Sequence, residues 1–110
     1  MKVEFYLTSS GRSPVEEFLK EQSEDIRSDF VDAVSLLKSG HWLSMPINRN
    51  LSSVCQGLHE LRLKDRSGQV RILYYIKRGD AIYMLHAFKK KTRELPQKET
   101  QVALKRIREV

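Results

Sequence analysis

Two arginines, a histidine and a lysine run in the second half of this chain stand at spacings that bring them to one surface. In an extended strand, residues two apart share a face. Glu60, Arg62 and Lys64 therefore oppose Leu61 and Leu63, and Arg71, Leu73, Tyr75 and Lys77 oppose Val70, Ile72, Tyr74 and Ile76. On a third strand His86, Phe88 and Lys90 oppose Leu85, Ala87 and Lys89, although Ile82 and Met84 share parity with His86 and leave that strand's orientation open. The apolar sets have to face helices. Arg62, Lys64, Arg71, His86 and Lys90 then surround one concavity, with Tyr75 and Phe88 available to stack bases. Cations for phosphates beside rings for unstacked bases is the chemistry of a single-stranded RNA site. Lys89, Lys91 and Arg93 extend it along the run Lys89-Lys90-Lys91-Thr92-Arg93. Taken singly these features are ordinary: an arginine on a sheet is commonly a solvated cross-strand partner, and a lone histidine is commonly structural. Their combination on one face carries the information.

The elements that position this face follow from the punctuation of the chain. Val3, Phe5 and Leu7 alternate with polar neighbours as a half-buried strand does. Ser13-Pro14-Val15-Glu16 opens a short helix, with Ser13 as cap, Pro14 at the first helical position and Glu16 completing a capping box. Ser23 opens a second helix, whose Glu24 and Asp25 suit the helix dipole. Its stripe of Ile26, Phe30, Ala33, Val34 and Leu37 predicts a core face, and Gly40 ends it. Residues 41–57 are irregular; Trp42 is expected to plug one edge of the core, and Cys55 to be a small buried residue. Three strands follow, Leu58 to Lys64, Gln69 to Lys77 and Ala81 to about Lys90, joined by the turns Arg66-Ser67-Gly68 and Arg78-Gly79-Asp80. Such short connections force an antiparallel meander. Pro96 opens a last helix to about residue 109, with Val102, Ala103, Leu104 and Ile107 on its apolar side. The expected order is β-α-α-β-β-β-α: one α+β domain over residues 1–110, a mostly antiparallel sheet with helices packed on one face.

Composition agrees. The chain has 110 residues, a net charge of +6 and a single cysteine. Six basic residues face eight acidic ones in residues 1–55, against fourteen and six in residues 56–110, so the meander half is strongly cationic. That half suits a polyanion. One cysteine excludes an internal disulfide framework, three histidines make a structural zinc site poorly supported, and no metal or other cofactor is expected. No apolar run approaches a membrane span, and Glu4 interrupts any signal core, so the expected compartment is the cytoplasm.

Gly57-Leu58-His59-Glu60-Leu61-Arg62, Val70-Arg71-Ile72-Leu73-Tyr74-Tyr75, Met84-Leu85-His86-Ala87-Phe88-Lys89-Lys90-Lys91-Thr92 and then Pro96 with Glu99 and Ala103 occur in order. Over residues 57–104 this resembles the HigB-like, phage-derived branch of the RelE/ParE toxin superfamily. Where many members have Thr before the helix-starting Pro, this chain has Leu95, which cannot cap. The resemblance implies a RelE-like α+β toxin encoded beside a helix-turn-helix antitoxin (HigA-like). It implies cleavage of mRNA on the ribosome, with Arg62, Arg71, His86, Lys89 and Lys90 on the motif positions associated with RNA handling.

In a metal-independent ribonuclease the substrate's 2′-OH attacks the adjacent phosphorus and leaves a 2′,3′-cyclic phosphate and a 5′-OH. Arg62 and Arg71 suit the developing phosphorane charge, His86 suits proton transfer, and Lys90 suits the backbone or the transition state. Glu60 is either a base or a cross-strand partner of Arg71, and pairing is favoured. Two other functions fit the same fold: a DNA gyrase poison, which would not need His86, and a non-catalytic nucleic-acid-binding module, which would need only the cations. A membrane-surface role ranks last for want of a basic amphipathic helix with bulky anchors. The oligomeric state is left open.

Overall fold

The computed structural model describes every residue from Met1 to Val110. Its elements are β1 (Lys2–Phe5), α1 (Pro14–Lys20), α2 (Glu24–Lys38), β2 (Asn48–Asn50), β3 (Leu58–Asp65), β4 (Gly68–Lys77), β5 (Ala81–Lys90) and α3 (Gln97–Ile107). Strands β3, β4 and β5 form the antiparallel meander that their short turns require. Strand β1 adds parallel to β5 and β2 antiparallel to β3, giving a five-stranded mixed sheet in the order β1-β5-β4-β3-β2. The α+β class and the mostly antiparallel sheet are as expected. Strand β2 is an addition; at 3 residues it is too short for alternation to reveal.

Local chemistry explains the helices on the first face. Ser23 Oγ accepts a hydrogen bond from the Ile26 backbone N–H at 3.2 Å, and Gly40 takes a positive φ of 87° just beyond the Ser39 C-cap. The stripe Ile26, Phe30, Ala33 and Leu37 is buried together with Val15 and Leu19 of α1. These side chains pack on Leu61, Leu63, Val70, Ile72, Tyr74, Ile82 and Met84 of the sheet. Each large apolar side chain so buried contributes roughly 1.5–3 kcal/mol. The start of α1 rests on Pro14 and on Glu16 and Glu17 in its first turn: Ser13 makes no side-chain cap bond, and its Oγ is buried without a partner.

The helices do not all lie on one face. Helix α3 packs on the opposite side, where Ala103 meets Leu51, Leu58, Leu73, Leu85 and Phe88 in a second core. Leu58, Leu73 and Phe88 share parity with the cations, so this face is charged at one end and apolar at the other. The apolar end needs a cover, and α3 supplies it. Arg106 pins it there, donating from Nη1 to the Leu85 carbonyl at 2.6 Å and lying 4.7 Å over the Tyr6 ring. Phe88 is consequently 7% exposed and packs in this core, where it is not free to stack a base.

A β-bulge settles the ambiguous parity of β5. Leu73 pairs with His86 but Tyr74 pairs with Met84, which leaves Leu85 unpaired. Ile82 and Met84 therefore join the first core, while Leu85, His86 and Phe88 turn to the second face. Three smaller expectations are corrected. Trp42 is 63% exposed and plugs nothing, β1 ends at Phe5 and leaves Leu7 in solvent, and Cys55 is only half-buried.

Candidate nucleic-acid interface

Register across the meander arranges the second face in rows. Lys64, Gln69 and Lys90 form one; Arg62, Arg71 and Phe88 the next; Glu60, Leu73 and His86 the third. Edge strand β2 adds Arg49 opposite Glu60. Arg62, Arg71, His86 and Lys90 thus lie on one side of the sheet, as alternation requires.

Glu60 is the centre of the charged end. Its side chain is 0% exposed; Oε1 accepts from Arg62 Nε at 3.0 Å and Oε2 lies 3.7 Å from Arg71 Nε. It pairs with both arginines. Arg71 is 6% exposed, held by Gln69 Oε1 at 2.6 Å from Nη2, and forms the floor of the site rather than its rim. Arg71 Nε and Glu60 Oε2 have no hydrogen-bond partner. Lys90 is half-buried, and Arg62 has 23% of its side chain exposed. One buried carboxylate therefore faces two guanidiniums, with Lys90 and Arg49 nearby. Burial lowers the Lys90 pKa, and the charges of Arg71, Arg62 and Arg49 lower it further while Glu60 opposes them. Burial also lowers that of Arg71. Both shifts come first from burial; at Lys90 the neighbouring guanidiniums add to it, whereas at Arg71 the charge of Glu60 opposes it.

His86 stands beside this cluster under α3. Its Nε2 is 3.1 Å from Glu99 Oε1, and its ring stacks on Phe88 with centroids 5.6 Å apart. Burial pushes the imidazole pKa down against the opposing pull of Glu99, with Arg106 lowering it further. The imidazole is thus held neutral, donating from Nε2–H to the carboxylate. Its Nδ1 has no protein partner and is not sealed from solvent. Such a nitrogen can accept a proton.

The remaining predicted residues are dispersed. Lys64 is exposed at the end of the charged rows. Tyr75 is half-buried, with its ring against Gly57. Lys89 stands opposite Val70 and so takes the other side of the sheet from Lys90. Lys91 and Arg93 are exposed in the loop before α3. No three His, Cys, Asp or Glu side chains gather as metal ligands, and no helix is long and apolar enough to cross a membrane.

Sequence reasoning missed Arg49 and the role of Glu99. Arg49 lies in a stretch with no periodicity to read. Glu99 carried a signal, as the acidic residue in the first turn of α3, but its partner His86 is 13 positions away.

This is a small α+β domain that places two guanidiniums around one buried carboxylate, with a histidine in that carboxylate's row of the sheet. More specifically, the chain belongs to the phage-derived Gp49-like family (DUF891), whose sequence model matches residues 17–108. That family is RelE-like and toxin-like, so the resemblance holds at this level. No curated protein matches the chain.

Proposed function

We propose that the chain is the toxin of a toxin–antitoxin pair and cleaves mRNA, in the manner of the HigB-like branch, with the ribosome presenting the strand. The observation that carries this reading is the Glu60–Arg62–Arg71 cluster with His86 in the row of Glu60, next to that of the two arginines. Arg62 and Lys90 are the reachable cations and bind the phosphate. Arg71 sits beneath them, holds Glu60 in place and adds positive potential where the phosphorane gathers charge. His86 Nδ1 takes the proton of the 2′-OH as that oxygen bonds to phosphorus. The bond from phosphorus to the 5′-oxygen breaks, a proton reaches the leaving oxygen, and the products are a 2′,3′-cyclic phosphate and a 5′-OH. Lys90, whose ammonium is made more acidic by burial and the neighbouring guanidiniums, is the donor for that last transfer. Lys64, Lys91 and Arg93 guide the flanking backbone. The reading includes a helix-turn-helix antitoxin that neutralises the protein by covering this face, and a cytoplasmic site of action.

Primer extension on transcripts after induced expression tests it, with and without active translation. Cuts within translated codons are expected, with Arg71→Ala and His86→Ala each reducing cleavage by about 10²–10³. Full toxicity of both variants would overturn the site.

A further inference from the structure

We infer that a cleft on the opposite face of the sheet holds a base of the same RNA strand; this rests on the function proposed above and extends it to a neighbouring nucleotide. The cleft measures about 1220 Å³, which is ample for a nucleotide. Its floor is a polar network set among core residues. The Tyr74 hydroxyl donates to Asn48 Oδ1, and Asn48 Nδ2 donates to His59 Nδ1 at 3.2 Å. The His59 ring stacks on that of Tyr74, with centroids 5.2 Å apart and planes at 16°. An Nδ1 that accepts requires the tautomer protonated on Nε2. That Nε2–H has no protein partner and is not sealed from solvent, so it is a donor offered to the cleft.

The rim supplies what a base and its phosphate need. Trp42 is 63% exposed and Met45 is 61% exposed, which leaves a large ring and most of a thioether side chain in water at the rim. Arg78 lines the same cleft, is exposed, and makes no ion pair. A base stacked on Trp42, with a ring nitrogen or carbonyl accepting from His59 and its phosphate on Arg78, uses all three.

Continuity with the cationic face favours RNA over a peptide. Arg62 Nη1 is 4.0 Å from Met45 Sδ, and the Arg62 backbone N–H donates to the Ile47 carbonyl at 2.6 Å. Met45 therefore touches the cationic face and lines the cleft. Between them lies only β2, a three-residue edge strand, over which a bound strand passes from one side of the sheet to the other.

Trp42 is the sole tryptophan, so the intact chain reports on the cleft by its own fluorescence. A fluorescently labelled 2′-O-methyl oligoribonucleotide, which lacks the attacking hydroxyl, is titrated by anisotropy, and an unlabelled one by Trp42 emission. A saturable emission change that tracks binding is expected. Trp42→Ala and His59→Ala should each weaken binding by roughly tenfold in anisotropy, as loss of one base contact implies. Trp42 lies in solvent, so its variant separates the test from folding. Suppose that RNA binds and Arg62→Ala weakens it, yet Trp42 emission stays flat and Trp42→Ala binds as the parent does. The cleft inference then fails while the cationic site stands. No RNA binding in either readout would also overturn the cleft inference, while the functional reading, in which the ribosome presents the strand, is decided separately by the primer-extension test. An emission change with an acidic phenylalanine-containing peptide, and none with RNA, would make the cleft a peptide site and overturn the inference.

Discussion

Replacing Glu60 by Gln keeps the shape of the charged end and removes its one negative charge. The consequence can be sized from the structure. At an effective dielectric of about 20, a contact of 3.0 Å to Arg62 and one of 3.7 Å to Arg71 each amount to roughly 5 kcal/mol of gross attraction. Most of that offsets the desolvation of a carboxylate that is 0% exposed, and the neutral amide no longer carries that cost. What persists is the cost of a buried guanidinium without a counter-charge. Arg62, with 23% of its side chain exposed, is eased by water; Arg71, at 7%, is not. The expected loss is therefore at the lower end of the range for breaking a buried pair, about 3 kcal/mol. For a domain of this size that lowers Tm by roughly 12 °C. Thermal unfolding followed by circular dichroism measures it. The same scan with inorganic phosphate adds a sharper test, because the variant's unopposed cations should bind the anion more tightly than the parent's. Phosphate should raise Tm more in Glu60→Gln than in the parent. In the double variant Glu60→Leu with Arg71→Met, apolar packing replaces the pair, and stability should return to within about 1 kcal/mol of the parent. A fall of less than a degree in Glu60→Gln, or equal stabilisation of variant and parent by phosphate, would refute the charge accounting of this site.

Three further outcomes are expected. Burial depresses the pKa of both His59 and His86, so the folded chain binds fewer protons than the unfolded one as pH drops below about 6.5, and stability declines from there toward the folded-state values. Urea midpoints at pH 7.5 and 5.5 should show the decline, and His86→Asn should lessen it. Gly57→Ala should cost about 2–4 kcal/mol in urea unfolding. At φ 91° its new Cβ would come within 2.9 Å of the Ile76 carbonyl oxygen and 3.0 Å of the Tyr75 ring. Gly79→Ala, with φ 76° and nothing within 4 Å, should cost only the left-handed backbone penalty of about 1–2 kcal/mol. Ser23→Ala should lose about 1 kcal/mol with its cap, whereas Ser13→Ala should be neutral or slightly stabilising, because that hydroxyl is buried and unbonded.

Much of the candidate site was legible because β-alternation is a local property. A strand's side chains change sides at every residue whatever surrounds it, so Arg62, Arg71 and Lys90 shared a face as soon as their strands were assigned. The caps of α2 and its apolar stripe were readable for the same reason, since both depend on neighbours within a turn or two. His86 was a harder case: its parity with Ile82 and Met84 holds only for an unbroken strand, and a single unpaired Leu85 undoes it.

Tertiary packing decided the rest. Leu58, Leu73 and Phe88 formed an apolar patch on the charged face, and which segment would cover it depended on contacts between residues far apart in the chain. With α3 folded back onto that patch, Phe88 left the set of rings open to bases and His86 gained Glu99 as a partner, while Arg71 came to lie on the floor against Glu60 and Gln69. Arg49 and the Asn48–Tyr74–His59 network arose when an aperiodic loop paired with β3. Backbone geometry assigns each side chain to a side; the burial of apolar area, which is non-local and non-directional, determines what lies above it.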